Sequence, residues 1–170
     1  MIWERVETGI EKYKWIMTRV HECDISADPV FQKTFNGYYR IRQKPSGFYQ
    51  TFYRYLEENK DNASLSFEDV VTYLYRECGS IYASFSSKLL ATVNPNMPVW
   101  DKFVLQNLGL RAPYCYESDR LRKTVLLYQK ICDWYRTDEA SQKLEQFNLK
   151  FPGVDITDVK KIDFVLWATR

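Results

Sequence analysis

An all-α fold, a compact multi-helix bundle, is predicted by three features of the chain. Apolar residues recur at alternating steps of three and four through most of its length, the spacing that puts side chains on one face of a helix. Candidate capping residues flank these periodic runs. Glycine and proline number six each in 170 residues, too few for a turn-rich β-sandwich or a disordered chain. The length suits one domain, residues 1–170, with 1–60 and 61–170 as two lobes if a boundary exists.

Trp3, Val6, Ile10, Tyr13, Met17 and Val20 predict a first helix over about residues 2–21. Asp28-Pro29 reads as a helix start, with Asp as cap and Pro in the first turn. Phe31, Phe35, Tyr38 and Ile41 mark the face that follows, and Asn36-Gly37 is a point where this helix could break. Lys44-Pro-Ser-Gly47 reads as a turn before a helix carrying Phe48, Phe52, Tyr55 and Leu56. The polar run Asn59-Lys-Asp-Asn62 is the candidate lobe boundary. Ser66-Phe-Glu-Asp69 resembles a capping box, and Gly79 a helix stop. Ser118 or Asp119 caps a long helix with Leu121, Val125, Tyr128, Cys132 and Tyr135 on one face. Another helix covers about 138–149, and Thr157-Asp158 caps the last, with Val159, Ile162, Val165 and Leu166. This makes eight or nine helices, with no internal repeat and no glycine-rich phosphate loop.

Composition narrows the function. The formal charge of +2 is no global footprint for nucleic acid, although a local basic face is compatible with it. Cys23, Cys78, Cys115 and Cys132 have no C-x-x-C spacing and read as reduced thiols, which points to the cytoplasm. His21 is the sole histidine, which rules out a His-rich metal site, and a zinc site would need the scattered cysteines to converge; no metal and no cofactor is expected. No apolar run reaches the roughly 18 residues of a membrane span, and the first residues lack a targeting pattern. The 28 aromatic residues (13 Tyr, 10 Phe, 5 Trp) are expected mainly in the core, because each ring removes a large apolar area from water.

One stretch places an ionisable group rather than scattering it. Residues 84–110 read as a short helix, a proline-bounded connection and a second short helix that opens on Asp101 and stops at Gly109. Asp101 ends the apolar run Met97-Pro-Val-Trp-Asp101. As an N-cap it would accept a backbone N–H at the positive end of the helix dipole. As a catalytic group beside an apolar wall that includes Trp100, it would stabilise a developing cation or activate a water. Ser84, Ser86 and Ser87 read either as caps of the preceding helix or as part of an anion site. Lys88 reads as a surface lysine, a phosphate contact or a nucleophile. Basic residues gather at Arg40, Arg42 and Lys44, at Arg111, Arg120, Arg122 and Lys123, and at Lys160-Lys161. If the second and third groups flank the serine-rich helix start, they form a groove for a nucleic-acid backbone. Tyr38-Tyr39 and Tyr114 with Tyr116 are either core or stacking residues.

The central stretch resembles the heart of the helix-hairpin-helix base-excision DNA glycosylase superfamily. Phe85-Ser-Ser-Lys-Leu-Leu-Ala91 resembles the second hairpin helix. Met97-Pro-Val-Trp-Asp101 resembles the segment carrying the catalytic aspartate, and Asn107-Leu-Gly-Leu110 the end of the next helix. Val159 to Trp167 is also similar to C-terminal helices of distant members. The resemblance implies a glycosylase-like helical fold and DNA as partner, with a damaged base flipped into a pocket. It also implies that Asp101 stabilises the oxocarbenium-like sugar and that the region from Ser84 to Ser87 takes part of the phosphate role. Lys88, Arg120, Arg122 and Lys123 are then DNA contacts, and Trp100 a pocket wall.

The hairpin signature Leu-Pro-Gly-Val-Gly is absent; Cys78-Gly-Ser-Ile-Tyr-Ala83 stands in its place. The lysine nucleophile of bifunctional members aligns with Ser86 or Ser87, as in monofunctional members that use water, and Lys88 falls one or two residues late. The expectation is therefore a monofunctional glycosylase-like protein. Its alternative is a helical DNA-binding or protein-interaction domain that keeps the fold and uses Asp101 only as a cap.

Overall fold

The computed structural model describes residues 2–42, 44–100 and 102–168. Among them the chain forms nine α-helices and no strand. These are α1 (Ile2–Arg19), α2 (Pro29–Tyr39), α3 (Ser46–Asn59), α4 (Phe67–Cys78), α5 (Ala83–Val93), α6 (Lys102–Asn107), α7 (Arg120–Trp134), α8 (Asp138–Lys150) and α9 (Asp158–Ala168). The all-α bundle expected from periodicity is the observed fold.

Several boundaries follow the predicted capping chemistry. Asp28 caps α2: its Oδ1 accepts from the N–H groups of Val30 and Phe31 at 3.0 and 3.1 Å. The other oxygen accepts from Arg19 Nε at 2.9 Å and from the Cys23 thiol at 3.1 Å. Ser66 and Asp69 form a reciprocal capping box on α4, and Gly79 ends that helix at φ 75°. Thr157 accepts the Lys160 N–H at the start of α9. Two expectations are corrected. Gly37 does not break α2, which runs on to Tyr39 and ends with Arg40 in the left-handed region at φ 54°. Asp119 precedes α7 but makes no side-chain cap; it sits at φ 52°.

One hydrophobic cluster takes residues from Val6 to Ala168. The pieces on either side of residue 60 share this core, and Lys60 bonds the Cys23 carbonyl at 3.0 Å. The last helix closes the bundle, packing on α1, α6 and α8. Gly9 permits the close approach to α1, because a Cβ there would stand 3.0 Å from the Phe164 ring. Phe35, fully buried, is ringed by Phe31, Tyr39, Phe52 and Tyr53 at centroid distances of 4.7–5.8 Å.

Phe35→Ala is expected to lower unfolding free energy by about 3–5 kcal/mol, the usual cost of emptying a buried aromatic site, read from urea unfolding. The Phe31 N–H foremost, then the Cys23 and Arg19 bonds, hold the Asp28 carboxyl down at about 2 from its ordinary 3.8. A depressed carboxyl contributes stability that is complete above 3.8 and is lost as pH falls through about 2. Asp28→Asn should therefore flatten the acid limb of stability against pH; an unchanged limb would show that other carboxylates carry it.

Candidate functional site

The end of α2, the start of α5 and one side of α9 border an open cavity of about 700 Å³. The last turn of α2 supplies Tyr38 and Tyr39. From α5 come Ser84, Phe85 and Lys88, and from the connection to α6 come Val99 and Trp100. Helix α9 contributes Lys160, Asp163, Phe164 and Trp167. Arg40, Arg42 and Lys102, all exposed, also line it, together with Val104, Leu105 and Ala112. The volume falls in the range of small-ligand sites.

The proline connection is held by three hydroxyl bonds. Ser87 Oγ accepts the Trp100 N–H at 2.8 Å and donates to the Ser84 carbonyl at 2.8 Å. Tyr128 Oη donates to the Pro98 carbonyl at 2.8 Å, and Thr157 Oγ1 to the Pro95 carbonyl at 2.6 Å. Trp100, 5% exposed, stacks on Phe67 on one side of the cavity wall.

Two lysines are buried here. Lys88 Nζ donates to the Tyr39 carbonyl at 3.1 Å and lies 5.1 Å from the Phe85 ring centre. That carbonyl belongs to the last turn of α2, where carbonyls lack intrahelical partners and the dipole is negative, so a cation is favoured there. Lys160 sits over Tyr13, Tyr38, Tyr39 and Phe164 at 4.8–5.5 Å and lies 3.8 Å from Asp163 Oδ2. Asp163 Oδ1 accepts from the Tyr135 hydroxyl. Burial first, then the Asp163 charge, raises the Tyr13 phenol; burial likewise raises Tyr38 and Tyr39. These phenols stay neutral near pH 7 and act as hydroxyl groups, not phenolates.

The sequence-predicted residues divide. Ser84, Lys88 and Trp100 meet at the cavity. Asp101 lies outside the described residues. Ser86 and Ser87 are fully buried within α5; neither presents a hydroxyl to a backbone phosphate. None of the serines caps this helix: its N-cap is Tyr82, without a side-chain bond. Lys88 is buried, contrary to the surface reading. Arg120 lines a smaller cleft of about 240 Å³ that shares Ser84, Phe85, Trp100 and Ala112 with the main cavity. Arg122 is exposed on α7, and Lys123 pairs with Glu117 at 3.0 Å; neither lines the main cavity or this cleft. Of the basic groups, the first supplies Arg40 and Arg42 to the cavity and the third supplies Lys160, whereas the group on α7 does not line it. Asp163, Phe164 and Trp167 were missed. The available signal was a Lys160–Asp163 pair, spaced i,i+3, among the apolar residues of α9.

Among the described residues no cluster of His, Cys, Asp and Glu is arranged to hold a metal, and the four cysteines are free thiols. No described helix is long and apolar enough to cross a membrane. No protein-family model, curated protein or solved structure matches the chain.

Ser87→Ala would leave the buried Trp100 N–H without its acceptor. The expected loss of stability is about 1–3 kcal/mol, the cost of an unsatisfied buried donor, measured by urea unfolding. No loss would mean that the connection relaxes to satisfy the N–H elsewhere.

Proposed function

We propose that this protein is a divergent helix-hairpin-helix glycosylase-like protein that binds DNA and receives an extruded base in the cavity between α2, α5 and α9. The observation that carries this reading is the makeup of the walls. Ser84, Phe85, Lys88, Val99 and Trp100, all from the stretch that resembles the glycosylase core, line one open cavity with Tyr38, Tyr39 and Trp167 opposite.

Such a lining suits a flat, polar ring. Aromatic faces stack on a base, and buried ammonium and hydroxyl groups donate to its oxygen and nitrogen acceptors. Arg40, Arg42 and Lys102 at the mouth supply charge for the flanking phosphates. The first turn of α5 adds backbone N–H groups with no intrahelical acceptor, beside Arg120 in the adjoining cleft.

Asp101 stands in sequence between two lining residues, Trp100 and Lys102. In this reading its carboxylate stabilises the cationic sugar as the base departs and orients the attacking water. Hydrolysis breaks the glycosidic bond, with the water oxygen going to the sugar and a proton to the leaving base. Lys88 is held by the Tyr39 carbonyl, which favours a positioning role over covalent attack and agrees with a monofunctional mechanism. Binding without excision is the second reading. It is favoured by the missing hairpin glycines, in whose place Cys78-Gly-Ser-Ile-Tyr-Ala83 stands, since glycine lets backbone approach a phosphate closely.

The test is binding to a duplex containing an abasic-site analogue, followed across a salt series. A preference of about tenfold or more over undamaged duplex is expected. Arg42→Ala should weaken binding to both duplexes and lower the salt slope by about one. Asp101→Asn should retain binding and abolish release of a base from damaged DNA. Retained binding with no base release by the wild type would favour the second reading. No binding at low salt would overturn both.

A further inference from the structure

The loop between α6 and α7 carries an aromatic arrangement that the cavity does not use. Tyr114 and Tyr116 stack with centroids 5.1 Å apart and planes within 15°. Tyr116 is 78% exposed and Tyr114 46%, so the pair contributes little to the core. Arg111 lies over Tyr114, its Cζ 3.8 Å from the ring centre. One carboxylate organises the group. Glu117 Oε1 accepts the Tyr114 N–H at 2.8 Å and lies 3.5 Å from the Arg111 guanidinium. Its Oε2 binds Lys123 at 3.0 Å, which ties the loop to the first turn of α7.

Stacking removes part of each ring face from water, which offsets the entropy of ordering the pair, while Tyr116 stays 78% exposed as a π-surface. We propose that the Tyr114–Tyr116 stack is a platform for an unpaired base of single-stranded DNA, with the cations around it holding the backbone.

Charge and position select this partner. Residues 111–123 contain Arg111, Arg120, Arg122 and Lys123 against Glu117 and Asp119, so the platform stands in a net-positive segment. Aromatic rings interleaved with cations make up the sequence-tolerant surface that binds single strands, where every base offers a π-face and every phosphate a charge. The platform also continues the proposed site. Ala112 lines both the main cavity and the smaller cleft, and Pro113 and Arg120 line the cleft. Tyr114 follows the cleft-lining Pro113 directly in the chain. The proposal shares with the preceding section the expectation that the protein binds DNA. It does not require that the cavity accept a base.

The test uses the full chain and a short fluorescent oligothymidylate carrying one 2-aminopurine, whose emission falls when it stacks. Tyr116→Ala is expected to weaken binding by about tenfold, the usual effect of removing one stacking ring. Quenching should be lost, while the salt slope stays unchanged because no phosphate contact is removed. Tyr116→Phe should restore affinity and quenching, and Arg42→Ala should keep quenching while lowering the salt slope. Both tyrosines are exposed, and a melting curve matched to the wild type confirms folding. Equal affinity and quenching in Tyr116→Ala would overturn the platform. So would failure of the wild type to bind the single strand at low salt; preference for the abasic duplex in the same preparation would then leave the cavity reading standing. If Tyr116→Ala leaves strand binding intact but dissolves a self-association seen in sedimentation, the surface is a protein contact and the proposal fails.

Discussion

The bond from Lys88 to the Tyr39 carbonyl is the constraint around which the cavity is built. It joins residues 49 positions apart and connects the last turn of α2 to α5. An ammonium at this depth loses its hydration, which is costly unless the charge is compensated. The negative end of α2 and the faces of Tyr39 and Phe85 supply part of that compensation. The left-handed turn at Arg40 reverses the chain at this helix end. The same turn leads to Arg42 on the cavity lining.

Helix α9 supplies the opposite wall by a related device. Lys160 and Asp163 would weaken an apolar face if each were buried alone. Paired, with Tyr135 on the carboxylate and four rings around the ammonium, they form a polar island inside the core. Such pairs are poor contributors to stability, because desolvation offsets much of the Coulomb attraction. Their value lies in geometry: they hold donors and acceptors at fixed positions against a space large enough for a ligand. Gly9 lets α1 support α9 from behind.

Two surfaces of different character follow. The cavity is open, and its walls carry buried aromatics and buried ions. The Tyr114–Tyr116 loop is open, and its order depends on one carboxylate shared between a backbone N–H, an arginine and a lysine. Ala112, which lines the cavity and the cleft at Arg120, joins the two in the chain.

Helix periodicity, caps and stops were legible in the residues themselves. Asp28, Ser66, Gly79 and Thr157 act through bonds to neighbours only a few positions away, so local sequence is enough to specify them. The stretch from Ser84 to Leu110 was also recognisable as a unit, and Trp100 and Lys88 do reach the cavity. What tertiary packing decided was the fate of each polar side chain. Ser87 became a buried clasp, Lys88 a partner for a distant carbonyl, and Lys160 the centre of an aromatic box. Tyr38 and Tyr39 turned inward, whereas Tyr114 and Tyr116 remained in water, although both pairs read alike in sequence. Helical periodicity determines which residues share a face. It carries no information on which face of another helix will meet them, and burial and ion pairing depend on that meeting.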